Sequence, residues 1–331
     1  MKKLSSIFFL IWLSTSLTAQ KNAINLDALY QPLPASLQVF KSLDTIGDKP
    51  VVMYYAIAGL NDKDLLFTSD TTAGRRLTPN GFYEKNKHPL LVVNSSFFTF
   101  TTHQNLNVVV KNGKILSYNQ HSLPGKGKDT LTYRHRFQGA LGITKKRKAD
   151  VAWVFSDTAR RYLFASQTPV PNFTDSVRNP HLKYVMKSTK NTGVESSGKK
   201  EATYPLFSKW KMKTVVGGGP VLVQKGEVHI SNNAELMFAG QAINDRHPRT
   251  AMGYTADGKL VIFVCEGRSA TSAGLSLTQL ATVMKNLGCV EALNLDGGGS
   301  TCLLINGKET NIPSAKGEQR AIPSVFLIME N

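Results

Sequence analysis

The densest chemistry in this chain is the run Asn294-Leu295-Asp296-Gly297-Gly298-Gly299-Ser300-Thr301. A carboxylate leads three consecutive glycines and a hydroxyl follows them. Glycines lose much entropy on folding and pack nothing, so a triplet suits backbone that must approach a ligand closely or adopt positive φ. The segment lies between two apolar runs, so a strand end would present Asp296 beside a row of N–H groups. Gly217-Gly218-Gly219-Pro220 repeats the theme ahead of another apolar run. Arg246-His247-Pro248-Arg249-Thr250 brackets a rigid proline with two arginines, whose planar forks match phosphate oxygens. Glu266-Gly267-Arg268 closes the apolar run 260–265, and Val93-Asn94-Ser95-Ser96-Phe97-Phe98 ends another strand in polar groups and an aromatic pair. Asn94 suits a sugar hydroxyl and equally a turn. His247 suits a catalytic base, although a structural histidine tied to backbone is the commoner case. No second histidine stands at metal-ligand spacing from it, and His103, His121, His135 and His181 are scattered. No metal or cofactor is therefore expected at the site, with a structural metal left open.

These groups need strands to hold them. Val51–Ala58, Leu90–Val93, Asn107–Val110, Val151–Phe155, Val221–Val223, Leu260–Cys265, Ala292–Leu295 and Val325–Met329 read as strands. Asn112-Gly113, Lys225-Gly226, Asp257-Gly258 and Asn306-Gly307 read as hairpin turns. Ser276 with Gln279 forms a capping box, apolar residues follow at helical spacing from Leu277 to Leu287, and Gly288 stands at the stop. That helix joins strands 260–265 and 291–295, which predicts that the two run parallel in a mixed sheet. A weaker helix is expected near 25–46, and 291–295 is expected to pair with 302–306. The fold class is α+β: a mixed, strongly twisted β-sheet core with many hairpins and a few packed helices.

Lys2 and Lys3, then Ile7–Leu13, then small residues to Ala19 read as a secretory signal peptide over 1–19, which implies export to periplasm or extracellular space. Residues 20–331 read as one domain with a basic loop or insertion near 186–213. No later stretch reaches transmembrane length. Three cysteines, Cys265, Cys289 and Cys302, leave at least one unpaired, and Cys265 reads as a small buried hydrophobe. A Cys289–Cys302 bridge is possible but not favoured. The formal charge is +17, concentrated in 126–148 and 186–213. Such patches attract anions. No helix-turn-helix, zinc spacing or RNA-binding motif accompanies them, so nucleic acid is not the expected partner.

Together these segments resemble the phosphodiester glycosidase family. The resemblance rests on Gly217–Pro220, Arg246–Thr250 with Gly253, Glu266–Arg268 with Gly274, Asn294–Thr301, and the closing Gly317-Glu318-Gln319-Arg320-Ala321 with Val325. Residues 90–98 look like the family's N-terminal strand and its Asn-Gly-Gly-Phe-Phe segment, with Ser95-Ser96 in place of the glycines. Glu266 stands where an Asp is usual. The resemblance implies hydrolysis of the bond between sugar C1 and a phosphodiester oxygen, on a glycosyl phosphodiester or phosphorylated glycan. It casts Asp296 and Glu266 as base, nucleophile or charge stabiliser. Arg249, Arg268 and Arg320 would hold the phosphate, with N–H groups of both glycine triplets, among them Gly218, Gly219, Gly297 and Gly298. Asn94, Asn294 and Ser300 would bind sugar hydroxyls, and Thr250 belongs to the same pocket. Two other readings stay open: a non-catalytic binder of phosphate-rich glycans, and a phosphodiesterase cutting P–O.

Overall fold

A computed structural model describes residues 23–190 and 207–331. The proposed leader lies outside them, as does the middle of the basic segment. The flanks of that segment are regular rather than loop: a helix spans His181–Lys190 and a strand spans Ser208–Trp210.

Three sheets enclose one central core. The largest has eight strands, with the four longest neighbours in the order Leu37–Ile46, Lys49–Gly59, Lys259–Cys265 and Arg249–Thr255, followed by Cys289–Asn294 and Val221–Gln224. Its central strands, such as Lys259–Cys265 and the first part of Arg249–Thr255, are buried on both faces, which is why their sequences are mostly apolar. Leu260, Ile262 and Val264 face the central core; Val261, Phe263 and Cys265 face the opposite way, onto helix Leu277–Asn286. That helix lays Leu277, Leu280, Ala281 and Met284 on the sheet, and its capping box forms as the sequence predicts. A five-stranded sheet, with Leu303–Ile305, Leu91–Asn94, Ser324–Glu330 and Leu65–Thr71 as neighbours, sends Leu91, Val93, Phe326 and Ile328 into the same central core. A seven-stranded sheet supplies Leu141, Val151, Trp153 and Val216 from a third side. Each of the first two sheets mixes strands from early and late in the chain.

The α+β class, the strands and the hairpins are as the sequence predicts, with four local differences. Residues 37–46 form a strand rather than part of a helix, because Gly47 and Asp48, both at positive φ, turn it back on Lys49–Gly59 along its whole length. Strands Lys259–Cys265 and Cys289–Asn294 do run in the same direction, but Arg249–Thr255 lies between them and pairs antiparallel with both. Residues 302–306 do not pair with 291–295, since the glycine turn after Asp296 passes the chain from the eight-stranded to the five-stranded sheet. Three of the four histidines that look scattered, His121, His135 and His181, come together. His135 and His181 ring centroids are 4.9 Å apart, as are those of His121 and His181, within a box that includes Phe137 and Phe155. The three cysteines are free and buried, and burial pushes the Cys265 and Cys289 thiols up to about 12, so they stay protonated.

Candidate active site

Asp296 sits at the point where the chain leaves Cys289–Asn294. Its neighbourhood is built by backbone pairing. The Leu295 N–H donates to the Thr250 carbonyl at 2.9 Å, the Gly298 N–H to Pro248 at 2.8 Å, and the Asp296 N–H to Ser95 at 2.9 Å. Residues 294–298 therefore run between the start of Arg249–Thr255 and the end of Leu91–Asn94. Gly297 fits because a Cβ there would stand 2.7 Å from the Pro248 oxygen. The backbone after Asp296 thus packs against that of Pro248 and Arg249, which lie far earlier in the chain.

The Asp296 carboxyl is pushed up to about 7, chiefly by burial; the Ser300 hydroxyl, the Arg320 charge and the Gly297 N–H offset this in part. It is an acid poised to exchange a proton near neutrality. Three arginines surround the turn. The Arg320 guanidinium lies against Gly299, where a Cβ would be 2.1 Å from Nη2, and reaches Ser300 Oγ at 3.5 Å. Arg268 packs on Gly298, whose positive φ and missing Cβ both serve the turn. Arg268 also donates to His247 Nδ1 at 3.2 Å, which holds that imidazole in the neutral form; burial and the charges of Arg249 and Arg268 lower its pKa. Arg249 is buried, with Nε on the Leu275 carbonyl at 2.9 Å and Nη2 on Asp245 at 2.8 Å. Burial lowers it to about 10, so it remains a cation. None of the three forms an ion pair with a carboxylate among the described residues. Cations gathered in this way favour anionic ligands.

Other predicted residues make contacts that hold the strand ends and loops around the turn. Asn94 Nδ2 donates one hydrogen to the Asp296 carbonyl, and Oδ1 accepts from Thr250 Oγ1 at 2.9 Å and the Cys302 N–H at 3.1 Å. The amide ties three strand ends together and keeps one N–H donor beyond these bonds. Thr250, fully buried, is its partner. The N–H groups of Gly217, Gly218 and Gly219, expected to face phosphate, instead donate to Val108, Gly139 and Asn294. This triplet serves close packing, since a Cβ on Gly218 would lie 2.4 Å from the Asn294 oxygen. In the second triplet the Gly298 N–H is taken by Pro248, whereas the Gly299 N–H has no partner among the described residues. Asn294 donates to the Gly219 carbonyl at 2.7 Å and leaves its Oδ1 buried and bare. Glu266 is buried at the end of Lys259–Cys265, and its Oε1 accepts the Ile312 N–H at 2.9 Å, anchoring the loop that leads to Arg320. The serines that replace glycine turn inward: Ser95 Oγ bonds Ser324 Oγ at 3.0 Å and Ser96 Oγ bonds the Gly217 carbonyl at 3.1 Å.

Two features escape sequence reasoning. Glu235, fully buried, accepts the Gly139 and Val221 N–H groups, each at 2.8 Å, and the Trp153 indole at 3.2 Å, beneath Gly219. Its one signal is that it is the sole acid between 229 and 244. Phe238, stacked edge-on with Phe97 at 6.1 Å and lying under Arg249 at 6.0 Å, has no sequence signal at all.

The model for the family described as phosphodiester glycosidase matches residues 87–329, well over half of the chain. The chain belongs to the phosphodiester glycosidase family. Curated relatives match over shorter stretches. A SPbeta prophage-derived uncharacterized protein, YomE of Bacillus subtilis, is 38% identical over 86 residues, 26% of this chain and 13% of that protein. The N-acetylglucosamine-1-phosphodiester alpha-N-acetylglucosaminidase of Mus musculus is 30% identical over 101 residues, 28% of this chain and 19% of that one. The aligned part thus spans less than a fifth of either relative. Among solved structures, the catalytic domain of the zebrafish N-acetylglucosamine-1-phosphodiester alpha-N-acetylglucosaminidase superposes with a TM-score of 0.59 at 19% identity, over 94% of this chain and 89% of that one. A hypothetical protein from Synechocystis gives 0.63 at 12% identity, over 93% and 64%. At these identities the likeness is one of fold. No helix of the described residues is long and apolar enough to cross a membrane.

Proposed function

We propose that the chain hydrolyses the C1–O bond of a glycosyl-1-phosphodiester, releasing free sugar and a phosphomonoester. The observation that carries this reading is the company of Asp296: a carboxyl held near 7 with the Arg320 charge acting on it, on a turn whose glycines pack against Arg268 and the Arg249 backbone, none of the three arginines forming an ion pair among the described residues. Such a leaving group is already acidic, since phosphomonoesters have a second pKa of about 6, so it needs stabilised charge more than protonation. The arginines supply that charge, together with the Gly299 N–H, which has no partner among the described residues. A water oxygen bonds to C1 and gives its proton to Asp296. The C1–O bond breaks, and its electron pair leaves on the phosphate oxygen. Positive charge developing at the sugar ring is met by Glu266, held rigid by Ile312. Export is part of the proposal and is supported by the residue pattern over 1–19.

Hydrolysis in ¹⁸O-labelled water tests the bond that breaks. Label is expected in the released sugar. Label in the phosphate would make the protein a phosphodiesterase, and absence of any product from a panel of glycosyl phosphodiesters would leave a binding role.

A further inference from the structure

Beyond the turn after Asp296, Arg76 is a further cation that forms no ion pair among the described residues. Arg76 lies in the stretch before helix Pro79–Lys85, outside the residues matched by the family model. Backbone pairing brings it beside Arg320. The Leu77 N–H donates to Ile322 at 2.9 Å and the Ile322 N–H to Leu77 at 2.8 Å, while Asn80 N–H bonds the Gln319 side chain at 2.8 Å. Both guanidinium groups meet one aromatic ring. The Arg76 Cζ stands 5.8 Å and the Arg320 Cζ 5.4 Å from the Phe100 centroid. Phe98, packed in the core below, holds Phe100 at 4.9 Å and touches Arg76 at 5.7 Å. Phe100 is nonetheless 61% exposed, at the tip of a turn closed by the His103 N–H to Thr99 bond.

The chemistry of this arrangement is specific. A guanidinium held by an aromatic ring is steadied without spending its in-plane N–H donors, whereas a carboxylate partner would consume them. Neither Arg76 nor Arg320 has such a partner among the described residues. Arg320 reaches Ser300 and so faces the reacting phosphate; Arg76 lies one ring farther out. We infer that Arg76, steadied by Phe100, binds a second anionic group on the aglycone side, one charge beyond the scissile phosphodiester. The preferred substrate class is a sugar attached through phosphate to a group that itself carries phosphate or carboxylate. The net charge of +17 favours polyanionic substrates in the same sense.

This rests on the proposed hydrolysis, so the test separates the two. Two esters of one glycosyl-1-phosphate are compared: a methyl ester, and a glycerol ester carrying a terminal phosphate. The ratio of their kcat/KM values is expected to favour the phosphorylated aglycone by about tenfold in the wild type, the scale of one charge-assisted contact. That preference should shrink at high salt, and Arg76→Ala and Phe100→Ala should bring it close to one. A wild-type ratio near one, or a ratio unchanged in Arg76→Ala, overturns the inference while leaving the hydrolase reading intact. If neither ester is cleaved, calorimetry with pyrophosphate and orthophosphate decides independently. Selective weakening of pyrophosphate binding in Arg76→Ala supports the site, and equal binding in both proteins overturns it.

Discussion

Replacing Asp296 by Asn should make the protein inactive and, at alkaline pH, more stable. The carboxyl is held at about 7 against an ordinary 3.8, a rise of about three units. At about 1.4 kcal/mol per unit, ionising it in the folded state costs up to about 4 kcal/mol. The sign follows from linkage. A folded pKa above the unfolded one means that the native state binds the proton more tightly between about pH 4 and pH 7. Stability relative to a non-titrating side chain is therefore lost as pH rises through that window and is flat above it. Asn keeps the shape and a hydrogen-bonding group toward Ser300 but has no charge to desolvate. Urea unfolding of wild type and Asp296→Asn at pH 4.5 and pH 8.5 checks this. The variant's advantage should be larger at pH 8.5 by about 3 kcal/mol, with titrations elsewhere cancelling in the difference. The same pKa predicts that kcat/KM of the wild type rises with pH to a plateau above about 7, as a base requires. An advantage independent of pH, or a variant less stable than wild type at pH 8.5, would refute the claim that burial strains this carboxyl. Sugar release by the Asn variant at the wild-type rate would remove Asp296 from the chemistry altogether.

Arg320→Ala should lower kcat/KM on a glycosyl phosphodiester by about 10²–10³-fold, the usual effect of losing one donor to developing negative charge; an unchanged value places the phosphate elsewhere. Glu235→Ala strands the Gly139 and Val221 N–H groups and the Trp153 indole, so a loss of at least about 3 kcal/mol is expected in urea unfolding. A loss under 1 kcal/mol would show that water replaces the carboxylate there. Burial lowers His121 to about 4 and lowers His181 further, so the box contributes stability above the ordinary histidine pKa and loses it as pH falls below about 6.5. His181→Phe should therefore be more stable than wild type at pH 4.5 relative to their difference at pH 8, as read from thermal midpoints. An identical pH dependence in both proteins refutes it.

The sequence by itself determined the local pieces. The capping box at Ser276 and Gln279, the Asn112-Gly113 and Asn306-Gly307 turns, and the apolar strands follow from short-range rules, because each depends on neighbours within a few residues. The cluster of motifs around Asp296 was legible too, since glycine triplets and paired arginines are costly unless something uses them. Only the tertiary structure decided which atoms are left over. Asn94 and the N–H groups of Gly217–Gly219 read as ligands, yet Asn94 Oδ1 is taken by Thr250 and Cys302 and those N–H groups by Val108, Gly139 and Asn294. Glu235, Phe238 and the histidine box gain their roles from residues more than a strand away. Arg76 meets Arg320 only because Leu77 pairs with Ile322. Hydrogen-bond valence and burial are properties of the assembled sheets, and a linear pattern of residue types does not carry them.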